Sequence, residues 1–313
     1  MQRIENISAN ERNEQFKRKK NVAYHSVKWI VFAIFIVYAL SLIVPFLWML
    51  LNSFKTNTDW NSGNYYGWPE QFTGLNFKEI LMYEVITVGG ETETVLEMFM
   101  WSCIVTACGT FISVGLSAVA AYTISKYKFI GRNLIYAAAI FSMVVPIVGT
   151  LPSQVRMMEM LGLDDSFIGV MFLYSGCFGF NFIMLYSAFS SISWSYAEAA
   201  NIDGAGRFKT FFKVMLPMAK GPIIACVILQ SITLWNDYST PYLFMSSKYT
   251  LAVGLYQLQT EFQGKGQYPM LFSSVIIALI PVLILYACFQ KKIIENTNAG
   301  GLKGWERNIL IYS

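Results

Sequence analysis

The chain has 313 residues, of which 55% are hydrophobic and only 13% charged, and its mean hydropathy is +0.45. Soluble domains carry about 25% charged residues, so the composition is that of an integral membrane protein, and a net charge of +4 gives no argument for nucleic acid. A single histidine, His25, excludes a histidine-based metal or acid–base centre, and the absence of a G-x-x-x-x-G-K-[ST] run leaves the chain no P-loop for ATP.

Residues 1–28 are polar and basic, with R-K-K at Arg18 to Lys20. They read as a tail or surface helix held by anionic lipid, or equally as a topology determinant. Six apolar runs follow, at about 30–51, 99–122, 133–152, 167–190, 222–243 and 270–289. Each is close to the ~20 residues that an α-helix needs to cross the hydrocarbon. The first has too long an apolar core for a signal peptide and no small-residue cleavage site after it, so it is expected to stay as an anchor.

The 52–98 loop is long and acidic. Trp60 to Pro69 is turn-rich and aromatic, Gly74 to Tyr83 fits an amphipathic surface helix, and Gly89–Gly90 marks another turn. Its aromatics suit interfacial anchoring or stacking on sugar rings. The third run carries Pro146 and ends at Pro152, and the fourth carries Gly176 and Gly179. These read as a kink and as sites of close helix approach, or as parts of a gate. The fifth run contains Trp235, Asn236, Asp237 and Tyr238. Asp237 is the one acid within a run, so it should face the bundle interior, either as a hydrogen-bonded clasp or in contact with a solute. The five cysteines all fall in apolar runs without metal-ligand spacing and read as small buried side chains.

Taking the segments between runs alternately, 18 of the 23 Lys and Arg residues fall on one side and 5 on the other. The positive-inside rule then places both termini and the 191–221 loop in the cytoplasm. The expected fold is all-α, a polytopic membrane helix bundle of six transmembrane helices. It divides into a basic cytoplasmic tail (1–28), a transmembrane domain (29–290) and a cytoplasmic C-terminal tail (291–313).

The 191–221 loop holds E-A-A-N-I-D-G-A-G-R-F-K-T-F-F-K-V-M-L-P, from Glu198 to Pro217. Ser195 and Glu198 have capping-box spacing, which predicts a short helix from about Tyr196. Gly204 is placed to end it in the left-handed conformation. Arg207 to Leu216 can restart as an amphipathic helix with Phe208, Phe211, Phe212 and Met215 roughly on one face.

This stretch resembles the EAA loop of ABC importer permeases. Glu198, Ala199, Ala200, Gly204, Leu216 and Pro217 match at the family's spacings, with Val214 in the isoleucine place, and D-G-A-G around Asp203 is similar to the carbohydrate branch. The W-N-D run at Trp235 and the I-E-N-T-N-A-G-G-L-K-G tail ending at Lys303 and Gly304 also resemble sugar-importer permeases of the maltose type. The sequence departs from that pattern in S-I-S-W-S-Y before the loop and in W-E-R-N-I-L-I-Y-S after Gly304.

The resemblance implies a permease subunit, without a nucleotide site of its own, in the inner (cytoplasmic) membrane of a bacterium. It works with a second homologous permease, two ATPase subunits that bind ATP and Mg, and an extracytoplasmic sugar-binding protein, importing a carbohydrate, above all an oligosaccharide. Glu198, Ala199, Ala200, Asp203, Gly204, Phe208, Phe211, Phe212, Leu216 and Pro217 would couple to an ATPase. Trp235, Asn236, Asp237 and Tyr238 would be candidates for the substrate path. A permease for amino acids, peptides or polyamines and a secondary transporter are the alternatives.

Overall fold

The computed structural model describes residues 2–144 and 149–297, and side chains over 27–143 and 149–290. Pro146, the Lys303–Gly304 tail and the side chains of Arg18 to Lys20 lie outside the described residues. The chain divides into two compact units, 1–73 and 74–313.

In the first unit, helix α1 (Gln2–Ser53) is continuous. Its apolar portion is Val27–Ser53, and the basic segment before it, read from the sequence as a tail or a surface helix, is helical from Gln2. A short α2 (Asn57–Asn61) follows, with Thr56 Oγ1 accepting from Asp59 N. The buried Asp59 carboxylate organises the aromatic turn: it accepts from Asn64 Nδ2 at 2.8 Å and Glu70 N at 3.0 Å. Lys55 donates to the Asn64 carbonyl and Trp48 to that of Tyr65. Trp60 is wedged edge-on against Trp48 and Tyr65, while Tyr66 and Trp68 project into solvent.

The second unit starts with α3 (Leu75–Leu81) and a two-stranded antiparallel hairpin, β1 (Glu84–Ile86) and β2 (Thr92–Thr94), in the register Val85 to Glu93. The expected turn at Gly89–Gly90 closes it. Next come α4 (Val95–Lys126), α5 (Arg132–Val144), α6 (Leu151–Leu161), α7 (Phe167–Leu173) and α8 (Phe180–Ser191). Then α9 (Ser195–Ile202), α10 (Arg207–Thr210), a π-helical turn (Phe211–Met215) and α11 (Leu216–Met218) form the polar loop. The chain continues through α12 (Lys220–Trp235), α13 (Ser239–Phe244), α14 (Leu251–Lys265) and α15 (Tyr268–Thr297). The long α4 is central and packs most extensively on α8 and α12.

Among the described residues, three helices are long and apolar enough to cross a membrane, Val27–Ser53, Val95–Lys126 and Tyr268–Gln290, and a fourth span results if the bent pair Arg207–Met218 and Lys220–Trp235 is counted as one. The other three expected runs are not single helices among the described residues. The run 133–152 divides between α5 and α6, 167–190 between α7 and α8, and 222–243 between α12 and α13. Local chemistry explains two of the breaks. Tyr174–Gly179 contains two glycines, and Gly179 precedes α8 with φ +145°, a conformation that glycine adopts without a steric penalty. At Asn236–Tyr238 a polar carboxylate is free to cap the next helix. The segment Arg207–Met218 meets Lys220–Trp235 at 81°. With Arg207, Lys209 and Lys213 exposed, it lies across the base of α12 rather than prolonging it.

The glycines expected to allow close helix approach do not do so. Gly176 and Gly179 have open space where a Cβ would stand. The close approaches are at Gly109, where a Cβ would lie 2.8 Å from Leu234 and 2.9 Å from Tyr174, and at Gly254, which faces the Met98 sulfur.

The connections between helices gather at two ends of this unit. At one end the hairpin joins the 244–249 segment: Tyr249 Oη accepts from Val88 N at 2.8 Å, and Glu93 Oε2 accepts from Tyr249 N at 2.7 Å. Asp165, held at φ +46°, accepts from Ser246 Oγ, Ser247 N and Ser247 Oγ. At the other end, Lys126 donates to the Ile192 carbonyl at 2.5 Å, and Tyr127 packs edge-on against Trp194.

Candidate functional site

Two places carry the candidate residues: the loop from α9 to α11, and the interior around the breaks before α8 and after α12.

The loop is a helix, a bend and a second helical stretch, with three differences from the sequence expectation. The first concerns its start. Ser195 is not the N-cap; α9 starts after Trp194 without a side-chain cap, and Ser195 Oγ pairs with Ser193 Oγ at 2.8 Å. Trp194, fixed against Tyr127, sets the start one residue early, which leaves Glu198 exposed rather than capping. A capping box does form elsewhere, at Thr94 and Glu97, where α4 begins.

The bend follows the expectation. Ala205 N donates to Ala200 O at 2.9 Å and Gly204 N to Asn201 O at 3.0 Å, the paired bonds of a Schellman ending, with Gly204 at φ +78°. Asp203 is the last residue before the bend.

The second difference concerns the aromatic face. Leu216 N donates to Phe211 O, five residues back, and this wider turn divides the four residues expected on one face. Phe211 and Met215 are buried, whereas Phe208 and Phe212 are 83% and 57% exposed. Phe211 lies against Tyr122 of α4 and Phe189 of α8, at 4.8 and 6.3 Å between ring centroids. The guanidinium of Arg207 stands 6.0 Å over the Tyr127 ring. Leu216 is partly buried and Pro217 is exposed at the start of α11.

The third difference is Ile202, 86% exposed at the end of α9, which the sequence reading did not single out. Glu198 and Ala199 of the same helix are exposed as well, and so is Phe208 beyond the bend. An aromatic pocket of about 390 Å³, lined by Tyr122, Tyr127, Arg207, Phe208, Phe211 and Phe212, opens beside it.

At the break after α12, half-buried Asp237 is hydrogen-bonded through both carboxylate oxygens. Its Oδ2 accepts from Tyr174 Oη at 2.9 Å, and its Oδ1 accepts from Ser239 Oγ at 3.0 Å and Thr240 N at 3.1 Å. One carboxylate therefore starts α13 and ties it to the end of α7. Trp235 is buried; its Nε1 donates to Ala278 O on α15 and its ring meets Phe99 edge-on. Asn236 donates back to Ile232 O, and Tyr238 stacks on Tyr256. These four residues are thus engaged with their own chain.

A cavity of about 640 Å³ lies next to them, between α4, the break before α8, and α12. Its polar groups are Ser113 and Ser117 of α4, Asn181 of α8, and Gln230 and Thr233 of α12. Asn181 Nδ2 donates to Gln230 Oε1 at 2.7 Å. Phe178 and Phe180, each about half exposed, stand at its edge with Gly176 and Gly179. Asn181 and Gln230 are not among the residues expected from the sequence. Their signal was the presence of two amides inside runs otherwise apolar at that depth, where an amide is expected to find an interhelical partner.

Comparison with known proteins fixes the class. Residues 113–294 match the family described as binding-protein-dependent transport system inner membrane component. The chain belongs to this family. Both the loop and the cavity fall within the matched residues. It is 30% identical over 280 residues to an ABC transporter permease protein of Caldicellulosiruptor, with 88% of this chain and 97% of the relative covered. It is 28% identical over 271 residues to the diacetylchitobiose uptake system permease protein of Streptomyces coelicolor, covering 86% of each. It is 27% identical over 290 residues to the polygalacturonan/rhamnogalacturonan transport system permease protein of Bacillus subtilis, covering 88% of this chain and 97% of the relative. A chain in the crystal structure of a bacterial ABC transporter involved in alginate import has the same fold, with a TM-score of 0.71 at 23% identity and with 85% of this chain and 96% of that chain covered. The permease is a multi-pass membrane transport subunit.

Proposed function

We propose that this permease is one of two membrane subunits of an ATP-driven, binding-protein-dependent carbohydrate importer in the bacterial inner membrane, and that it is coupled to an ATPase through residues 198–217. In this reading the broken helices complete six crossings, both termini are cytoplasmic, ATP and Mg bind to two partner ATPases, and an extracytoplasmic binding protein delivers an oligosaccharide. The observation that carries it is the exposed face of Ile202 and Phe208, held on a short helix and a Schellman bend. An exposed apolar patch on a fixed frame suits a protein partner.

The packing gives a route for the coupling. Phe211 joins the loop to Tyr122 and Phe189. At 1.5 Å per residue, Tyr122 is about 14 Å along α4 from Ser113, and Phe189 about 12 Å along α8 from Asn181. A displacement of the loop therefore reaches both walls of the cavity through two helices. For this to drive transport, the ATPase must hold the loop differently in its two nucleotide states. No observation favours the secondary-transporter or amino-acid reading.

The test is co-purification of the ATPase with loop variants, alongside hydrolysis stimulated by loaded binding protein. Ile202→Asp and Phe208→Asp should lose the ATPase. Gly204→Val should weaken it too, because a left-handed β-branched residue costs about 1–2 kcal/mol. A Cβ at Gly204 meets no atom of its own chain within 4 Å, so the effect is conformational and falls on the docking face. Wild-type ATPase content and stimulation in all three variants would remove the loop from the coupling path.

A further inference from the structure

We infer that the cavity between α4, α8 and α12 admits uncharged sugar chains and disfavours acidic ones such as uronates; this rests on the carbohydrate-importer reading. The polar groups of its wall are hydroxyls and amides: Ser113, Ser117, Asn181, Gln230 and Thr233. None is ionisable. The sequence extends the point beyond the wall, since none of the six apolar runs contains a lysine or arginine. The single formal charge in those runs is Asp237. It is negative, and its oxygens are taken by Tyr174, Ser239 and Thr240.

The amide pair is matched to a hydroxyl. Asn181 Nδ2 donates to Gln230 Oε1, which leaves Asn181 Oδ1 as an acceptor and Gln230 Nε2 as a donor. A sugar hydroxyl both donates and accepts, so it can bridge these two atoms. The hydroxyls of an acidic sugar can bridge them as well, and its carboxylate can accept from Gln230 Nε2, so the discrimination rests on the cost of desolvating the charge. Moving it from water into a wall without a cation carries a desolvation cost that nothing here repays. Phe178 and Phe180 add apolar faces for the ring of a sugar and nothing for its charge.

The test uses the assembled complex of permeases and ATPases without the binding protein, so that the binding protein's own selectivity plays no part. In a background with the five native cysteines replaced by serine or alanine, Thr233→Cys places a single thiol on the wall; Thr233 is exposed, and among the described residues its hydroxyl bonds to its own helix, at Leu229 O. The rate of thiol labelling is measured with neutral trisaccharides of glucose, galactose, mannose and xylose, and with trigalacturonate. At least one neutral chain should slow labelling at a concentration at least about tenfold below that needed by trigalacturonate. Introducing Gln230→Lys in the same background should bring the acidic chain into range. Equal or stronger protection by trigalacturonate would overturn the inference while leaving a sugar path in place. Protection by none of them would remove the cavity as a sugar site, and the inference with it.

Discussion

At the hairpin end of residues 74–297, polar groups are tied to one another. Glu93 is buried beneath Tyr249 N and faces Lys248 at 3.7 Å, and Asp165 gathers Ser246 and Ser247. At the opposite end, the α9–α11 loop buries Phe211 and Met215 but leaves Ile202, Phe208 and Phe212 in solvent. The first region is held by its own polar contacts, although Ile86 and Val88 of the hairpin stay exposed; the second presents exposed Ile202 and Phe208 on a short helix and bend. A surface closed by its own hydrogen bonds positions its segments without help. A surface with unsatisfied apolar area gains stability only when something covers it. The contrast teaches which end is the frame and which is the working contact.

The largest expected effect separates anchoring from docking within the loop. Phe211→Ala removes a ring packed against Tyr122, Phe189 and Phe212 and should cost about 3–5 kcal/mol, read as a lower melting temperature of the purified permease pair. Phe208→Ala should leave stability within about 0.5 kcal/mol while reducing ATPase retention. Equal melting shifts for the two would erase the distinction between a buried and an exposed face.

Asp237 comes next, as a test of whether this hydrogen-bonded carboxylate belongs with the self-satisfied frame. Asp237→Ala leaves Tyr174 Oη, Ser239 and Thr240 N without their acceptor, at about 1–3 kcal/mol. Asp237→Asn keeps an acceptor for α13 and presents an amide to Tyr174, so it should cost less. Both should show near-normal hydrolysis per folded complex when stimulated by binding protein. Full stability with lost stimulation in Asp237→Asn would instead place the charge in the transport path.

Local chemistry was legible where short-range geometry decides the outcome. Gly204 could be read as a helix end because the bend requires a positive φ at one position. The three longest apolar helices follow from hydropathy alone. The capping boxes show the limit. Thr94-x-x-Glu97 and Ser195-x-x-Glu198 have the same spacing, yet only the first forms, because Trp194 packing on Tyr127 moves the start of α9. The division of Phe208 and Phe212 from Phe211 and Met215 was hidden because a 3.6-residue period does not anticipate a π turn. Asn181 and Gln230 come together only through the packing of α8 on α12, 49 residues apart, a contact that no local pattern encodes.

The smallest expected effect is a pH dependence confined to the hairpin end. Burial lifts the Glu93 carboxyl above its ordinary 4.5, against the opposing pull of Tyr249 N and Lys248; nearby Glu97 adds to the rise. The closed hairpin therefore keeps its proton to higher pH than the opened segment does. Between 4.5 and the raised value it binds more protons, so closure is most favourable below 4.5 and weakens as pH rises through the raised value. Hydrogen exchange at Thr87–Thr94, corrected for intrinsic rates, should show protection falling over that window in the wild type. Glu93→Gln should hold protection constant, because the amide still accepts from Tyr249 N without a charge to desolvate. Exchange in the α9–α11 loop should not follow this titration, since Glu93 is at the far end of the unit. A parallel loss of protection in both regions would mean that the two ends open together, and the frame would then be part of the moving machinery.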